Sequence, residues 1–317
     1  TRAFLHSLID WFKLVKPERL KSGDRVAIVS LASTPFKENM ERGINYLQRF
    51  GLEVVVDPKV FDEYGYLAGS DIERANALNN YFADKSIKAI FSSCGGYGSG
   101  RILPYIDFSN IERNPKVFVG YSDITSLHLA IQRKTNLITF YGQMPMVDLG
   151  KDEYSHILMN FLFDPDFRLY YKGDSVKSFN PMKVEGQLVG GCLTLIDALL
   201  GTEYEIDTKG KILFIEEVEE HNHDIDRMLL HLKLTNKLDD AVGFLIGDMV
   251  DIKPKDQRRK SLTLEEIFEE YIVKLNKPVL MNFPAGHGKI FVPLPLGVLA
   301  QIDSENGTIK TIEGSVI

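Results

Sequence analysis

Three residues with side chains suited to nucleophilic chemistry follow one another along this chain, in the order Ser122, Glu216 and His287. A serine hydroxyl becomes a nucleophile when an imidazole accepts its proton, and a carboxylate can orient that imidazole and stabilise its charged form. Glu217 directly follows Glu216, so the residue types alone leave two carboxylates available. The three positions are widely separated, and composition cannot show that they meet in space.

Ser122 lies in the stretch 117–130, where a short apolar run changes to a helical pattern. Asp123 and Thr125 suit the first turn of the helix that follows. A serine at such a bend can present its hydroxyl at the end of the strand, facing the amides that open the helix. The alternative for an isolated strand–serine–helix sequence is an ordinary helix N-cap.

The segment 94–100 is the stretch richest in glycine, and it follows an apolar run. Glycines allow positive φ and let backbone amides approach a ligand. The segment can be a flexible turn, a phosphate-binding loop, or an oxyanion hole in which a glycine amide faces Ser122. A phosphate loop is disfavoured because no Gly-Lys-Ser/Thr sequence ends the stretch.

His287 stands between Gly286 and Gly288, which indicates a crowded or sharply turned backbone and favours a functional role over a structural one. The cluster 221–224 has two histidines, but its spacing fits no zinc pattern, so we expect no metal site there. Cys94 or Cys192 could also be a nucleophile, although a small buried thiol is the ordinary interpretation of each.

The elements that must position these residues alternate between strand and helix in the first half of the chain. Apolar runs at 25–30, 52–56, 89–93 and 117–119 predict strands, separated by helical patterns. Such alternation predicts a parallel sheet with helices on both faces, in which ligands bind beyond the carboxyl ends of the strands. The loop containing Ser122 lies at that edge.

The second half mixes α and β elements, and its last two strands predict a hairpin around residues 305–307. The predicted fold class is therefore α/β, with an N-terminal parallel-sheet domain of flavodoxin-like or glutamine-amidotransferase-like type and a C-terminal mixed α+β domain. The expected boundaries are an amphipathic extension at 1–15, the domains at 16–165 and 185–317, and a linker at 166–184.

Composition narrows the possible partners and location. The chain has 317 residues, 44% of them hydrophobic, which suits two domains. A formal net charge of -7 disfavours a nucleic-acid partner, because phosphate neutralisation requires a basic face. Two cysteines fit a reducing compartment and hence the cytoplasm, and no apolar run reaches the length of a membrane span.

The ordered motifs of this chain resemble the LD-carboxypeptidase family of serine peptidases, which includes the microcin C self-immunity proteins. The resemblance runs from about residue 16 to the C-terminus. The matching stretches are Lys21-Ser22-Gly23-Asp24, Gly95-Gly96-Tyr97-Gly98, Arg101-Ile102-Leu103-Pro104-Tyr105-Ile106-Asp107, Gly120-Tyr121-Ser122-Asp123-Ile124-Thr125, Gly190-Gly191, Ala198-Leu199-Leu200-Gly201-Thr202, Ile212-Leu213-Phe214-Ile215-Glu216-Glu217, Ile225-Asp226-Arg227-Met228-Leu229, Gly286-His287-Gly288 and Pro293-Leu294-Pro295-Leu296-Gly297.

The resemblance implies a triad of Ser122 as nucleophile, His287 as base and Glu216 as acid, with Glu217 as the second choice. It also implies a site at the domain interface, a homodimer, and no metal or cofactor. The implied reaction removes a terminal D-amino acid from the L,D-peptide bond of cytoplasmic murein tetrapeptides during wall recycling. The further site residues it implies are the oxyanion-hole amides of Gly96 and Asp123 and the substrate-binding residues Gly95, Tyr97, Tyr141 and Gly142.

Three departures from the family pattern leave the substrate open. Cys94 stands where the family often has Arg, Cys192 where it commonly has Asn, and Tyr141-Gly142-Gln143-Met144 where it has His-Gly-Pro-Met. An alternative within the family is hydrolysis of an amide in a peptidyl-nucleotide antibiotic. An alternative of another class is a non-catalytic protein that binds an anionic ligand with the loop 95–100. That hypothesis predicts that Ser122 and His287 lie too far apart to hydrogen-bond.

Overall fold

The computed structural model describes residues 14–256 and 258–317. Most of the expected amphipathic extension at 1–15 lies outside the described residues. The strands are β1 (Arg25–Val29), β2 (Glu53–Val56), β3 (Ile87–Ser92), β4 (Val117–Gly120), β5 (Thr139–Tyr141), β6 (Tyr170–Lys172), β7 (Lys177–Phe179), β8 (Lys183–Cys192), β9 (Ile212–Val218), β10 (Gly243–Val250), β11 (Val279–Met281), β12 (Leu294–Leu296), β13 (Leu299–Asp303) and β14 (Thr308–Thr311).

Helices follow most of the strands of the first half, as the sequence predicts. The α-helices are α1 (Lys37–Arg49), α2 (Asp71–Ala83), α3 (Phe108–Arg113), α4 (Thr125–Thr135), α5 (Tyr154–Phe163), α6 (Leu193–Ala198), α7 (Asn222–Leu234), α8 (Lys237–Asp240) and α9 (Leu264–Tyr271). Helix α2 shows how local sequence sets a boundary. Ser70 caps its first turn and Glu73 bonds back to the Ser70 amide, which satisfies two otherwise unpaired amides.

The first sheet has the strand order β12-β5-β4-β3-β1-β2. Strands β1 to β5 run parallel, and this confirms the alternation predicted from the sequence. Strand β12 comes from the far end of the chain and pairs antiparallel with β5, with Leu294 opposite Tyr141. The edge of the first sheet beside the site is therefore covered by a segment from the second half.

The second sheet has the strand order β6-β14-β13-β8-β9-β10-β11-β7. Its centre, β8 to β11, is parallel, so the carboxyl ends of four strands meet at one edge. The predicted hairpin is confirmed as β13 and β14. The segment 166–184, expected as a linker, contains β6 and β7, which form the two edges of this sheet.

Helix α4 joins the two halves. Its residues Thr125 to Ile131 are all buried, because the helix packs against the first sheet on one side and against α6 and β8 on the other. The backbone amide of Cys192 donates to Thr125 Oγ1 at 3.1 Å, and a side chain at Gly191 would overlap Thr125. The start of α4 is thereby held at the end of β8. Among the described helices, none combines the length and the apolarity that crossing a membrane requires.

Candidate active site

Ser122 lies in the tight bend between β4 and α4. Its φ is 62°, a left-handed conformation that is uncommon for a residue with a side chain and that is found where a fold imposes it. Gly95 packs directly against it, since a Cβ at Gly95 would lie 3.0 Å from Ser122 Cβ. The serine makes no capping hydrogen bond to α4, so the helix N-cap alternative is wrong and the hydroxyl is available for other contacts.

The structure brings Ser122, His287 and Glu216 together. His287 Nε2 lies 2.9 Å from Ser122 Oγ, and His287 Nδ1 lies 2.7 Å from Glu216 Oε2. Gly286 makes this approach possible. Its φ of 128° suits glycine, and a Cβ there would overlap Glu216 Oε2. These distances contradict the separation of Ser122 and His287 that the binding-protein hypothesis predicts.

Glu217 does not contact His287. Its carboxylate is buried on the opposite face of β9, where it accepts hydrogen bonds from the Thr194 amide at 2.7 Å and the Val218 amide at 2.9 Å. The Cys192 thiol donates to it at 3.4 Å. Successive strand residues point to opposite faces, so only one of the two glutamates can reach the histidine. That residue is Glu216.

Tyr141 and Gly142 lie behind these three residues and not on the open side. The Tyr141 side chain is fully buried, and its hydroxyl lies between the Ser122 amide at 3.1 Å and Glu216 Oε1 at 2.5 Å. Gly142 is buried against Leu158 and donates its amide to the Gly120 carbonyl. The substrate contact expected for each residue therefore does not fit, because neither faces the open side of the site.

The amides expected to form an oxyanion hole belong to Asp123, the residue after Ser122, and to Gly96, the residue after the Gly95 that packs against Ser122. Within residues 14–256 and 258–317, neither the Gly96 amide nor the Asp123 amide has a hydrogen-bond acceptor. Gly96 has φ of 103°, and Ser33 packs where its side chain would lie. The arrangement leaves two free donors close to the serine, which is what a developing oxyanion requires.

Tyr97 is the one expected substrate-binding side chain that is exposed. Its ring is 53% exposed and meets the exposed Tyr66 ring edge-on, with centroids 5.5 Å apart. The Tyr97 amide donates to Ser33 Oγ at 3.2 Å, which fixes the backbone beside Gly96. Gly95 contributes close backbone approach and no side chain.

The electrostatics of the site favour a base at His287. Burial lowers the pKa of His287, but the hydrogen bond to Glu216 and the negative charge of that carboxylate raise it by more, so the pKa lies above 6.5. Two neighbouring carboxyl groups, those of Glu217 and Asp248, have raised pKa values. Burial raises the pKa of Glu217, and burial followed by the charge of Glu216 raises the pKa of Asp248 to about 6.

The other candidates from the sequence do not form a site. Burial raises the pKa of Cys94 to about 11 and that of Cys192 well above its usual value, so neither thiol readily forms the thiolate that a nucleophile requires. The rings of His221 and His223 stack with centroids 5.7 Å apart. In the described part of the chain, no three His, Cys, Asp or Glu side chains are arranged to hold a metal ion.

Two residues near the site were missed by the sequence analysis. Asp248 accepts a hydrogen bond from the Gly288 amide at 3.0 Å. It directly follows the mostly apolar run 243–247 of β10, as Glu216 follows the apolar run 212–215 of β9. Arg74 is buried and donates to the Leu31 and Gly98 carbonyls at 2.7 and 2.8 Å, so it joins two loops at the strand ends. No local signal marks Arg74, because a helical arginine ordinarily faces solvent.

Comparison with known proteins gives a consistent result over nearly the whole chain. Residues 26–142 match the family model described as "LD-carboxypeptidase N-terminal domain", and residues 185–302 match "LD-carboxypeptidase C-terminal domain". A probable murein peptide carboxypeptidase of Bacillus subtilis is 40% identical over 306 residues, covering 95% of this chain and 95% of that protein.

Solved structures agree in fold. The microcin C7 self-immunity protein MccF in complex with aspartyl sulfamoyl adenosine superposes with a TM-score of 0.87 at 26% identity, covering 96% of this chain and 100% of that one. The muramoyltetrapeptide carboxypeptidase from Oxalobacter formigenes superposes with a TM-score of 0.80 at 26% identity, covering 90% and 97%. On these matches, the chain belongs to the LD-carboxypeptidase family of serine peptidases.

Proposed function

We propose that this protein is a serine LD-carboxypeptidase that releases a C-terminal D-amino acid from murein tetrapeptides. The observation that carries the proposal is the continuous hydrogen-bonded path from Ser122 Oγ to His287 Nε2 at 2.9 Å and from His287 Nδ1 to Glu216 Oε2 at 2.7 Å. A hydroxyl, an imidazole and a carboxylate in this order form the arrangement that activates serine for acyl transfer.

In the proposed mechanism, Ser122 Oγ attacks the carbonyl carbon of the scissile L,D-bond while His287 Nε2 takes the hydroxyl proton. The amides of Gly96 and Asp123 donate to the oxygen that becomes negative. His287 then gives its proton to the leaving amine, which departs as the D-amino acid and leaves an ester on Ser122. A water molecule, deprotonated by His287, attacks the ester and releases the shortened peptide.

Glu216 is the proposed acid of the triad, and its role is to hold one tautomer. With its carboxylate accepting from Nδ1–H, the imidazole presents an unprotonated Nε2 to the serine. The carboxylate also stabilises the imidazolium that forms during attack. Glu217 remains buried and bonded on the other face of the strand, so we give it no part in proton transfer.

The proposed substrate is a small peptide, and Gly95 and Tyr97 are the proposed contacts beside the nucleophile. The name of the Bacillus subtilis relative and that of the Oxalobacter formigenes structure both support a murein peptide. We further propose a cytoplasmic location, consistent with two buried cysteines that form no disulfide, and a homodimer with neither a metal nor a cofactor. The domains proposed remain 16–165 and 185–317.

A second candidate function is hydrolysis of a peptidyl-nucleotide amide. The exposed pair of Tyr66 and Tyr97 favours it, because a nucleobase can stack on an aromatic face next to the Gly96 amide. The same triad would act on this bond without change. The two candidates therefore differ in the leaving group, and products distinguish them.

The deciding experiment is mass spectrometry of products from a panel of L,D-tetrapeptides, L,L-tetrapeptides and aminoacyl sulfamoyl adenosines. We expect the wild type to release the D-amino acid from the L,D-peptides and the Ser122→Ala variant to release none. Ser109→Ala, at an exposed serine, is the matched control and should retain wild-type turnover. Release of D-alanine by purified Ser122→Ala would overturn the mechanism, and selective cleavage of the nucleoside substrates would favour the second candidate.

A further inference from the structure

Four hydrogen bonds join Ser122, His287, Glu216 and Tyr141 into a closed circuit. Two of them form the path from serine to glutamate. The other two pass through the Tyr141 hydroxyl, which lies 2.5 Å from Glu216 Oε1 and 3.1 Å from the Ser122 backbone nitrogen. Tyr141 thus connects the acid of the triad to the backbone of the nucleophile from the side opposite the histidine.

The direction of the two tyrosine hydrogen bonds is fixed by the groups available. The Ser122 amide can only donate, so the tyrosine oxygen accepts there. The tyrosine has one hydroxyl proton, and Glu216 Oε1 is the acceptor placed to receive it. Burial, and then the charge of Glu216, raise the pKa of Tyr141 well above its usual value, so the hydroxyl remains a donor.

Burial makes these bonds consequential. Tyr141 and Glu216 each have no exposed surface, so water cannot replace a missing partner for the carboxylate. Glu216 Oε2 is already engaged by His287, and Tyr141 satisfies the other oxygen. The bound amide also belongs to Ser122, whose φ of 62° needs the surrounding structure to maintain it.

We propose that Tyr141 is a positioning residue for the triad, whose hydroxyl fixes the Glu216 carboxylate against His287 and holds the Ser122 amide in its strained conformation. The proposal rests on the function proposed above. It assigns Tyr141 no contact with substrate, because the side chain lies behind the triad. The role requires a hydroxyl and not merely an aromatic ring.

Tyr141→Phe is the direct test because the ring has an environment that suits phenylalanine. It packs edge-on against Phe214, with centroids 5.3 Å apart, and against Tyr121 and Phe291. The variant should therefore fold. Tyr271→Phe is the matched control. Tyr271, the last residue of α9, also donates its hydroxyl to a carboxylate, with 2.8 Å between its oxygen and Asp226 Oδ1.

We expect Tyr141→Phe to lower kcat by about tenfold to a hundredfold with KM changed by less than about twofold, since one charge-assisted bond to a buried carboxylate is lost and substrate contacts are kept. Without the Tyr141 hydroxyl, the negative charge of Glu216 is less well stabilised and therefore attracts a proton on His287 more strongly. The acid limb of kcat/KM should therefore move to higher pH. Tyr271→Phe should leave the rate and the pH profile unchanged.

A second measurement tests the circuit without turnover. The titration of the His287 imidazole can be followed by nitrogen NMR, with the signal identified by its loss in His287→Gln. Its pKa should be higher in Tyr141→Phe than in the wild type and unchanged in Tyr271→Phe. An unchanged or lower value, together with unchanged kcat, would overturn the proposal. If the wild type cleaves no substrate, the proposed function fails, while this titration still decides the role of Tyr141.

Discussion

Ser99 and Asp123 are joined by two hydrogen bonds that tie the glycine-rich loop to the bend carrying Ser122. The Ser99 amide donates to Asp123 Oδ2 at 2.8 Å, and the Ser99 hydroxyl donates to the Asp123 carbonyl at 2.5 Å. Both residues are buried. The two amides proposed as oxyanion donors, at Gly96 and Asp123, are therefore held by one connection.

Removing the Ser99 hydroxyl should loosen that connection. In Ser99→Ala the hydrogen bond from the backbone amide of residue 99 to the Asp123 carboxylate remains. The buried Asp123 carbonyl loses its hydroxyl donor, which should lower the free energy of unfolding by about 1–3 kcal/mol. Misplacement of an oxyanion donor should lower kcat by about tenfold or more. Urea unfolding and steady-state kinetics measure the two effects. A stable Ser99→Ala protein with wild-type kcat would show that the hydrogen bond from the residue 99 amide to the Asp123 carboxylate is enough to position the loop.

Gly286 should be intolerant of any side chain. In Gly286→Ala the new methyl group would overlap Glu216 Oε2. The alanine would also have to adopt the φ of 128° that the fold requires at this position. Displacement of His287 from Glu216 should lower kcat/KM by at least about a hundredfold. Gly201→Ala separates backbone strain from steric overlap, because Gly201 also has a positive φ of 77° but has open space where the methyl group would lie. It should lose about 1–2 kcal/mol of stability and keep its activity.

Activity should fall as pH decreases through a value above 6.5. Burial lowers the pKa of His287, but the hydrogen bond and charge of Glu216 outweigh it and leave the pKa raised. Below that pKa the imidazole is protonated and cannot accept the Ser122 proton. In Glu216→Gln the charge is absent, so the acid limb of kcat/KM should move to lower pH, with a maximum reduced on the order of a thousandfold. An acid limb at the same pH as in the wild type would mean that Glu216 does not set the pKa of His287.

Asp248 should make the protein less stable as pH rises. Burial and the charge of Glu216 raise its pKa from 3.8 to about 6, so the folded protein binds a proton more tightly than the unfolded chain. The resulting penalty grows from about pH 4 to about pH 6 and is complete above that range.

Asp248→Asn keeps an acceptor for the Gly288 amide and removes the charge. Its gain in the free energy of unfolding should be near zero at pH 4 and largest at pH 7 to 8, as measured by urea unfolding across this range. Asp166→Asn, at an exposed aspartate, is the control for removing one negative charge and is measured over the same pH range. A gain of equal size at pH 4 and pH 8 would rule out titration of Asp248 as its cause.

Local patterns were sufficient for the parts of the site that depend on neighbours in the chain. An apolar run, a serine and a helical pattern predict the bend at Ser122 because strand and helix periodicities differ. Glycines on both sides of His287 predict a backbone that approaches another element closely. The order of Ser122, Glu216 and His287 then allowed a triad to be expected, with the acid left between two adjacent glutamates.

Only the tertiary structure decided which face of β9 meets the histidine. Glu216 and Glu217 have the same chemistry and adjacent positions, and they differ only in the side of the strand to which they point. The role proposed for Tyr141 could not be predicted from the sequence either. Tyr141 is buried because β12, with Leu294 opposite Tyr141, pairs along the edge of β5. The sequence by itself determined the bend at Ser122 and its candidate partners. Pairing between distant segments determined which of them meet, since no local periodicity encodes it.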